Sequence, residues 1–436
     1  MPALVPCAGR CSIIRCCFLL SGVALKLSEV NLSDLDLFVK GDPHQAFALL
    51  RREAPLYWHE RQNGRGFWAV TRYHDALRVY HDPHTYSSER GISLSFDNVM
   101  PEQVGSGMMM ILTDPPRHNR IRHVVSPRFT PRAIAAYEPE VRRICDEILN
   151  AVIERGECDF VVDVAAKVPT AAICEMLGIP AEYRDQMYSL GNAAIGSQDP
   201  EYNQGRSPME TGRNAQAEFF GYFAKLIDDR RKHPGKDLIS AFTIGEVEGA
   251  KLTDLEILFN AFLLIIGGQE TTRNAISGGM LALVNHSLER AKLAGDPGVM
   301  PTAIEEFLRW TTPVTHILRT ASKEGELRGE KIREGDKVVV WNASVNRDEE
   351  VFPEADRFDV TRTPNDHLAF GHGEHFCIGA HLARLEMRVM IEQVMRRMPD
   401  LELAGQPERL RSNFVAGIKH MPVRFAPSSA VEAHAS

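Results

Sequence analysis

The chain has 436 residues, 44% apolar and 25% charged, with 50 Lys and Arg against 58 Asp and Glu for a formal charge of −8. These proportions belong to an ordinary globular protein and exclude a collagen-like or globally disordered chain. The acidic balance argues against general nucleic-acid binding, which leans on a basic surface.

Four of the eight cysteines, Cys7, Cys11, Cys16 and Cys17, crowd the first seventeen residues. The apolar run from Ile13 to Leu25 is broken by Arg15 and falls short of the roughly 20 residues a bilayer span needs. Residues 1–26 are therefore expected to be a disordered leader, neither signal peptide nor stable membrane insertion. The remaining cysteines, Cys145, Cys158, Cys174 and Cys377, are scattered. They form no disulfide framework and fit a reducing, cytoplasmic compartment. From Leu27 to Pro427 there is no linker, repeat or long charge block. Residues 27–427 read as one domain, with Ser428 to Ser436 a frayed tail.

Phe67 to Val70 is a clear strand signal. Further on, Asp114 to Arg122 places His118 and Arg122 four apart, on one helix face. Five arginines (117, 120, 122, 128, 132) and no acid lie between Pro115 and Tyr137, a local basic patch. Thr253-Asp254-Leu255-Glu256 is a capping box that opens an apolar helix to about Asn285. At ~1.5 Å per residue it would be roughly 50 Å long, and being apolar nearly all round it must be buried. Its centre nonetheless reads Gly267-Gly268-Gln269-Glu270-Thr271-Thr272. Each glycine costs a helix about 1 kcal/mol against alanine, and buried polar groups cost more unless satisfied. Local rules broken in mid-core point to a functional site. A second helix runs from Pro301 to Trp310, with Glu306 and Arg309 spaced to pair. Arg333 to Asp336 is a turn before a strand, Lys337 to Val340. A last helix spans Ile378 to Met398 and stops at Pro399.

Phe370-Gly371-His372-Gly373-Glu374-His375-Phe376-Cys377-Ile378-Gly379 sets one cysteine among glycines at a helix start. Glycines permit positive φ and close approach of a bulky group. Free N–H groups and the helix dipole favour a thiolate. Such a thiolate suits a nucleophile or a single-cysteine metal ligand. Zinc would want further Cys or His nearby, and covalent haem would want Cys-x-x-Cys-His; neither pattern is present.

The stretch resembles the cytochrome P450 signature Phe-Gly-x-Gly-x-His-x-Cys-x-Gly at every fixed position. The resemblance runs along nearly the whole chain. It implies a mainly α fold with small β-sheets, the haem lying between the long central helix and the Cys-loop helix. It makes Cys377 the axial thiolate of haem b, with Phe370, Gly371 and Gly379 in the cofactor loop. His118, Arg122, Arg319 and His375 would hold the haem propionates. Glu306 and Arg309 would form a structural pair joined by Arg357. Gly267 and Gly268 would leave room for O2, and Glu270 and Thr271 would be the acid–alcohol pair that delivers protons. The substrate pocket would draw on Met109, Leu112, Leu264, Gly267, Gly268, Val314, Thr315, Phe414 and Val415, with Thr315, His316 and Asn413 as polar points.

The family reading implies a monooxygenase that hydroxylates or epoxidises a lipophilic small molecule. Its electrons would come from NAD(P)H through a separate ferredoxin and ferredoxin reductase, since no flavin or nicotinamide domain is visible. An acidic ferredoxin would be steered to the basic patch. The stretches 268–278, 341–352 and 417–419 look like the actinobacterial subgroup acting on steroids, branched lipids and terpenoids; a natural-product intermediate is the other substrate class. The rival readings are a haem-thiolate peroxygenase or isomerase, and a haem-based sensor. The chain is expected to be a monomer.

Overall fold

The computed structural model describes residues 25–40, 43–61, 64–94 and 105–429. The cysteine-rich leader up to residue 24 and residues 430–436 of the expected tail lie outside the described residues. Among the described residues the longer helices are α1 (Pro43–Glu53), α2 (Tyr73–His81), α3 (Arg117–Val125), α4 (Glu138–Asn150), α5 (Lys167–Leu177), α6 (Arg184–Ile195), α7 (Pro208–Lys232), α8 (Asp254–Asn285), α9 (Ser287–Gly295), α10 (Met300–Thr311) and α11 (Ala380–Arg397). None of these is long and apolar enough to cross a membrane.

α8 is the axle. Its capping box forms: Glu256 N–H donates to Thr253 Oγ1 at 3.2 Å, and Thr253 N–H donates to Glu256 Oε2 at 2.8 Å. Two orphan donors are thereby satisfied at the start of the helix. The apolar surface all round is covered by α5, α6, α7, α10 and α11. Its polar centre therefore sits deep in the molecule.

The main sheet contains β1 (Leu56–His59), β2 (Phe67–Val70), β3 (Tyr86–Ser87), β4 (Ile317–Ala321) and β5 (Lys337–Val340), in the order β1-β2-β5-β4-β3. β2 and β5 pair in parallel, Phe67 opposite Lys337 through Val70 opposite Val340. Their apolar runs are buried on both faces, as a central parallel pair requires. The turn before β5 forms, with Asp336 N–H on Arg333 O at 2.9 Å and Gly335 at φ 81°. A hairpin of β6 (Glu408–Arg409) and β7 (Ile418–His420) sends its connecting loop inward.

One boundary differs from the sequence reading. α11 begins at Ala380, not Ile378. Phe376 is extended at φ −50°, ψ 135°, and Cys377 N–H closes on Phe370 O at 2.9 Å. These backbone demands keep Cys377 and Ile378 on the loop, ahead of the first helical turn.

Candidate active site

The cysteine loop is fixed from both sides. Gly371 (φ 69°) donates its N–H to Leu368 O at 3.0 Å. Gly373 (φ 70°) passes so close to α2 that a Cβ would lie 2.6 Å from Tyr80 O. Phe370 lies under the Arg384 guanidinium at 4.6 Å, which is itself held by Glu305 at 2.6 and 2.8 Å. Cys377 stands in the wall of an enclosed, mostly apolar cavity. Burial pushes its thiol pKa up, while the Gly379 N–H, Arg122 and Arg384 pull the other way. The helix start alone thus does not make the thiolate that the sequence suggests. A cation seated on the sulfur would, because a coordinating thiol is deprotonated outright.

Beside the sulfur, α3, β4 and the cysteine loop bring four nitrogen-bearing side chains together. The rings of His118 and His375 are 4.1 Å apart, and His375 Nε2 is 3.2 Å from Ser88 Oγ. Arg319 is buried over the Tyr80 ring and bonds only the neighbouring Leu318 O, at 3.0 Å. Neither Arg122 nor Arg319 makes an ion pair within the described residues. Burial, then Arg319, His118 and Arg122, push the His375 pKa down to about 2. Burial also lowers the pKa of His118. A buried guanidinium without a counter-charge is costly. This donor set therefore fits a ligand carrying carboxylates.

On the opposite wall α8 turns its irregular centre to the cavity. A Cβ on Gly267 would meet nothing within 4 Å. Gly268 also reaches the cavity, but its missing Cβ serves packing: one there would meet Ile173 of α5 at 3.1 Å. Thr271 Oγ1 donates to Gly267 O at 2.8 Å. The buried Glu270 carboxylate bonds Arg273 through Oε2 and leaves Oε1 without a partner. Burial raises the Glu270 pKa and Arg273 opposes that. Both Glu270 and Thr271 reach the cavity, but no direct hydrogen bond joins their side chains.

The cytochrome P450 family model matches residues 30–293 and 299–413. The chain belongs to the cytochrome P450 family. It is 40% identical over 410 residues to cytochrome P450 126 of Mycobacterium tuberculosis, covering 92% of this chain and 99% of that one. It is 37% identical to the methyl-branched lipid omega-hydroxylase of the same species, covering 92% and 95%. The structure of Mycobacterium marinum cytochrome P450 CYP268A2 in complex with pseudoionone superposes with a TM-score of 0.86 at 35% identity, covering 91% and 98%. The protein is a P450 monooxygenase of the bacterial type, similar to actinobacterial hydroxylases.

The haem-thiolate cofactor of this P450 fits the residues present: one cysteine in a glycine-bounded loop, an open α8 face, and two arginines that make no ion pair beside two imidazole donors.

The pocket walls need correction. Leu264, Val314, Phe414 and Val415 line the cavity, and Val314 bridges Val415 across the inward hairpin loop. Met109 and Leu112 do not; both are buried in the core, and their neighbours Met110 and Ile111 take the cavity wall. The segment Met110–Leu112 is a 3-10 turn that gives the wall to Met110 and Ile111 instead of the residues the resemblance implied. Thr315 is also turned away, its hydroxyl bonded to Asn413 O. His316 bonds the same carbonyl at 2.8 Å, and Asn413 Nδ2 bonds Leu32 O at 3.0 Å. These three polar groups lock the hairpin behind the pocket. Leu263 and Ala275 were missed as lining residues, although each is four positions from Gly267 or Thr271 on one helix face.

Glu306 and Arg309 pair at 2.7 and 2.8 Å, fully buried. Arg357 does not join through its side chain, which is half-exposed and pairs with Glu354 at 3.0 Å. It contributes its carbonyl, 3.3 Å from Arg309 Nη2. Arg362 supplies the second guanidinium, with Nε 3.2 Å from Glu306 Oε2.

The basic patch is also smaller than its sequence. Glu248, on the hairpin before α8, pairs with Arg117 at 2.8 Å and Arg120 at 2.7 Å. Arg117 also bonds Glu256, and Arg122 turns inward to the cavity. Arg128 and Arg132 remain outside these ion pairs, and a surface depression is lined by His81, His84, Arg122, His123 and Glu374.

Proposed function

We propose that this P450 inserts one atom of O2 into a hydrocarbon segment of a branched lipid, terpenoid or steroid, with electrons from NAD(P)H through a separate ferredoxin and reductase. The observation that carries the reading is the cavity itself. Away from Glu270, Thr271 and the Arg319 donor cluster, its lining is mostly apolar (Ile111, Leu263, Leu264, Val314, Phe414 and Val415), and Thr315, His316 and Asn413 bond one another's backbone or Leu32 and are not part of it. A pocket whose substrate-facing wall is mostly apolar selects chiefly by shape and apolar area. The named substrate of the lipid hydroxylase and the ligand of the Mycobacterium marinum structure support the same class.

When bound, haem supplies reductive oxygen activation, and its thiolate ligand favours O–O cleavage. The chain's own residues do the rest. Cys377 would be the ligand, and Arg122, Arg319, His118 and His375 would hold the propionates by charge-assisted hydrogen bonds. Thr271 has committed its proton to Gly267 O, so it offers lone pairs to the cavity and orders a protonated oxygen there. Glu270 is the carboxyl that takes a proton from the water side and passes it inward. Leu263, Leu264, Ile111 and Phe414 exclude water and grip the substrate. Arg128 and Arg132, outside those ion pairs, receive the acidic ferredoxin.

The test is a Soret titration of the ferric protein with steroids, terpenoids, fatty acids and macrolides. A low-spin to high-spin shift with one of the first three classes is expected. Silence across the panel in haem-loaded protein would refute the lipid assignment. A chain that takes up no haem would overturn the whole reading.

A further inference from the structure

Behind Glu270 lies a buried polar contact that neither ligates a cofactor nor grips a substrate. The Arg273 guanidinium is fully buried. One terminal nitrogen bonds Glu270 Oε2, and the other donates to Asn192 Oδ1 at 2.6 Å. Its Nε makes a longer contact to Asn274 Oδ1 at 3.4 Å. Tyr188, also on α6, hydrogen-bonds Arg273 through its side chain, and Tyr202 is the other titratable group whose charge reaches it. Burial works against the Arg273 cation, and Glu270 with these tyrosines outweighs it. Asn192 belongs to α6, which a second bond ties to α8, from Gln269 Nε2 to Tyr188 O at 3.1 Å.

A guanidinium is a rigid fork of five donors. Held only by one carboxylate on its own helix, it can pivot about that contact. A second acceptor on a different helix removes the pivot. Asn192 is the close acceptor there, at 2.6 Å, beside the Tyr188 hydroxyl of the same helix. It fixes Arg273 on Oε2 of Glu270 and leaves Oε1, without a partner, as the free oxygen. We infer that Asn192 is a positioning residue for proton delivery: through Arg273 it sets which Glu270 oxygen carries the proton and keeps that oxygen at the cavity edge. This rests on Glu270 being the proton carrier. The step moves no electrons: Oε1 gains a proton from water, gives it up toward the Thr271 side, and Glu270 returns to the carboxylate paired with Arg273. Because Ile195 of α6 lines the same cavity, substrate space and proton handling share one hydrogen bond.

The experiment compares wild type, Asn192→Leu, Asn192→Asp and Glu270→Gln as ferric holoenzymes. Infrared pH titration follows the protonated-carboxyl band that disappears in Glu270→Gln. A second readout is peroxide released per NADH consumed, with a plant-type [2Fe–2S] ferredoxin and its reductase. Asn192→Leu should shift the band's midpoint to higher pH and raise peroxide several-fold. Asn192→Asp, which keeps an acceptor oxygen, should restore low peroxide. A wild-type band and wild-type peroxide in Asn192→Leu, alongside high peroxide in Glu270→Gln, would overturn the proposal and leave Glu270 in its role. High peroxide in Asn192→Asp would also overturn it, since the acceptor would not be what matters. Unchanged peroxide in Glu270→Gln would refute the proton-carrier reading instead. Haem uptake in each variant separates these outcomes from misfolding.

Discussion

The hydroxyl of Thr271 gives its proton to the carbonyl of Gly267, at 2.8 Å along the same helix. Back-bonding of this kind is ordinary for a helical threonine. Here the carbonyl belongs to a residue whose missing Cβ opens the cavity, so the bond also aims lone pairs at the reaction space. Thr271→Ala should retain haem and substrate binding. Its peroxide-to-product ratio should rise on the order of tenfold, below the ~10²–10⁴ of a full general acid. Coupling equal to wild type in Thr271→Ala would remove Thr271 from the proton path.

Two glycines of the cysteine loop share a left-handed backbone but differ in surroundings. At Gly371 a Cβ would find its nearest neighbour at 3.9 Å; at Gly373 it would meet the Tyr80 carbonyl at 2.6 Å. Gly371→Ala therefore costs backbone strain alone, about 1–2 kcal/mol. Gly373→Ala adds a backbone collision that only loop displacement relieves. The expected result is a normal thiolate spectrum of the ferrous–CO form in Gly371→Ala and loss of that spectrum in Gly373→Ala. Equal spectra in the two variants would show that the Tyr80 contact does not fix the loop.

Glu306 accepts from Arg309 and Arg362 and from the Asp359 N–H, the last at 2.9 Å. Breaking a buried pair from one side leaves an uncompensated charge, typically about 3–5 kcal/mol. Arg309→Ala should be the most destabilising change in the network. Arg362→Ala, whose side chain is 9% exposed, should follow. Arg357→Ala should cost no more than about 1 kcal/mol, as an exposed pair does. Thermal inactivation of the holoenzymes gives the order, and an Arg357 variant less stable than the Arg362 one would contradict the geometry.

Local patterns carried much of this molecule. The capping box of α8, strands β2 and β5 and the turn at Asp336 follow from residues near one another in sequence, where the deciding forces are local. The errors lie where a distant partner decides. Nothing near Arg357 tells that Arg362 is the side chain reaching Glu306. Nothing near Arg117 or Arg120 tells that Glu248 folds onto them. The resemblance placed Met109 in the pocket, whereas the 3-10 turn at Met110–Leu112 gives that wall to Met110 and Ile111.

The paired arginines change the prediction for electron transfer. Arg120 shares Glu248 with Arg117, so reversing it would also break that pairing, and Arg128 and Arg132 are the cleaner test. Reversing Arg128 and Arg132 together should raise the KM for an acidic ferredoxin about tenfold at low ionic strength, and salt should erase the difference. Glu248→Gln should act oppositely, freeing Arg117 and Arg120 and lowering that KM. A Glu248→Gln variant with unchanged salt dependence would place the docking site elsewhere.

His420 ties the inward hairpin to the connection between α6 and α7. Its Nδ1 is 2.6 Å from Asp159 Oδ2 and its Nε2 is 3.0 Å from Glu201 Oε1. Burial works against the imidazolium, but the two carboxylates outweigh it and the pKa lies above the ordinary value. A group whose pKa rises on folding stabilises fully below its unfolded pKa, about 6.5, and loses that contribution as pH climbs through the folded value. The ring is a third exposed, so solvent screening holds the effect below about 1 kcal/mol. Stability should therefore fall slightly from pH 6 to 9 in wild type, and His420→Gln should flatten that slope. Lys419 does not mask the effect, because its links to Asp199 at 3.0 Å and Glu201 at 2.8 Å keep their charge over the same range. The hairpin loop carries Phe414 and Val415 into the cavity, so the Kd of a spin-shifting ligand should weaken with the same pH midpoint. Parallel stability curves for wild type and His420→Gln would mean that the imidazolium bridge contributes nothing to holding the hairpin.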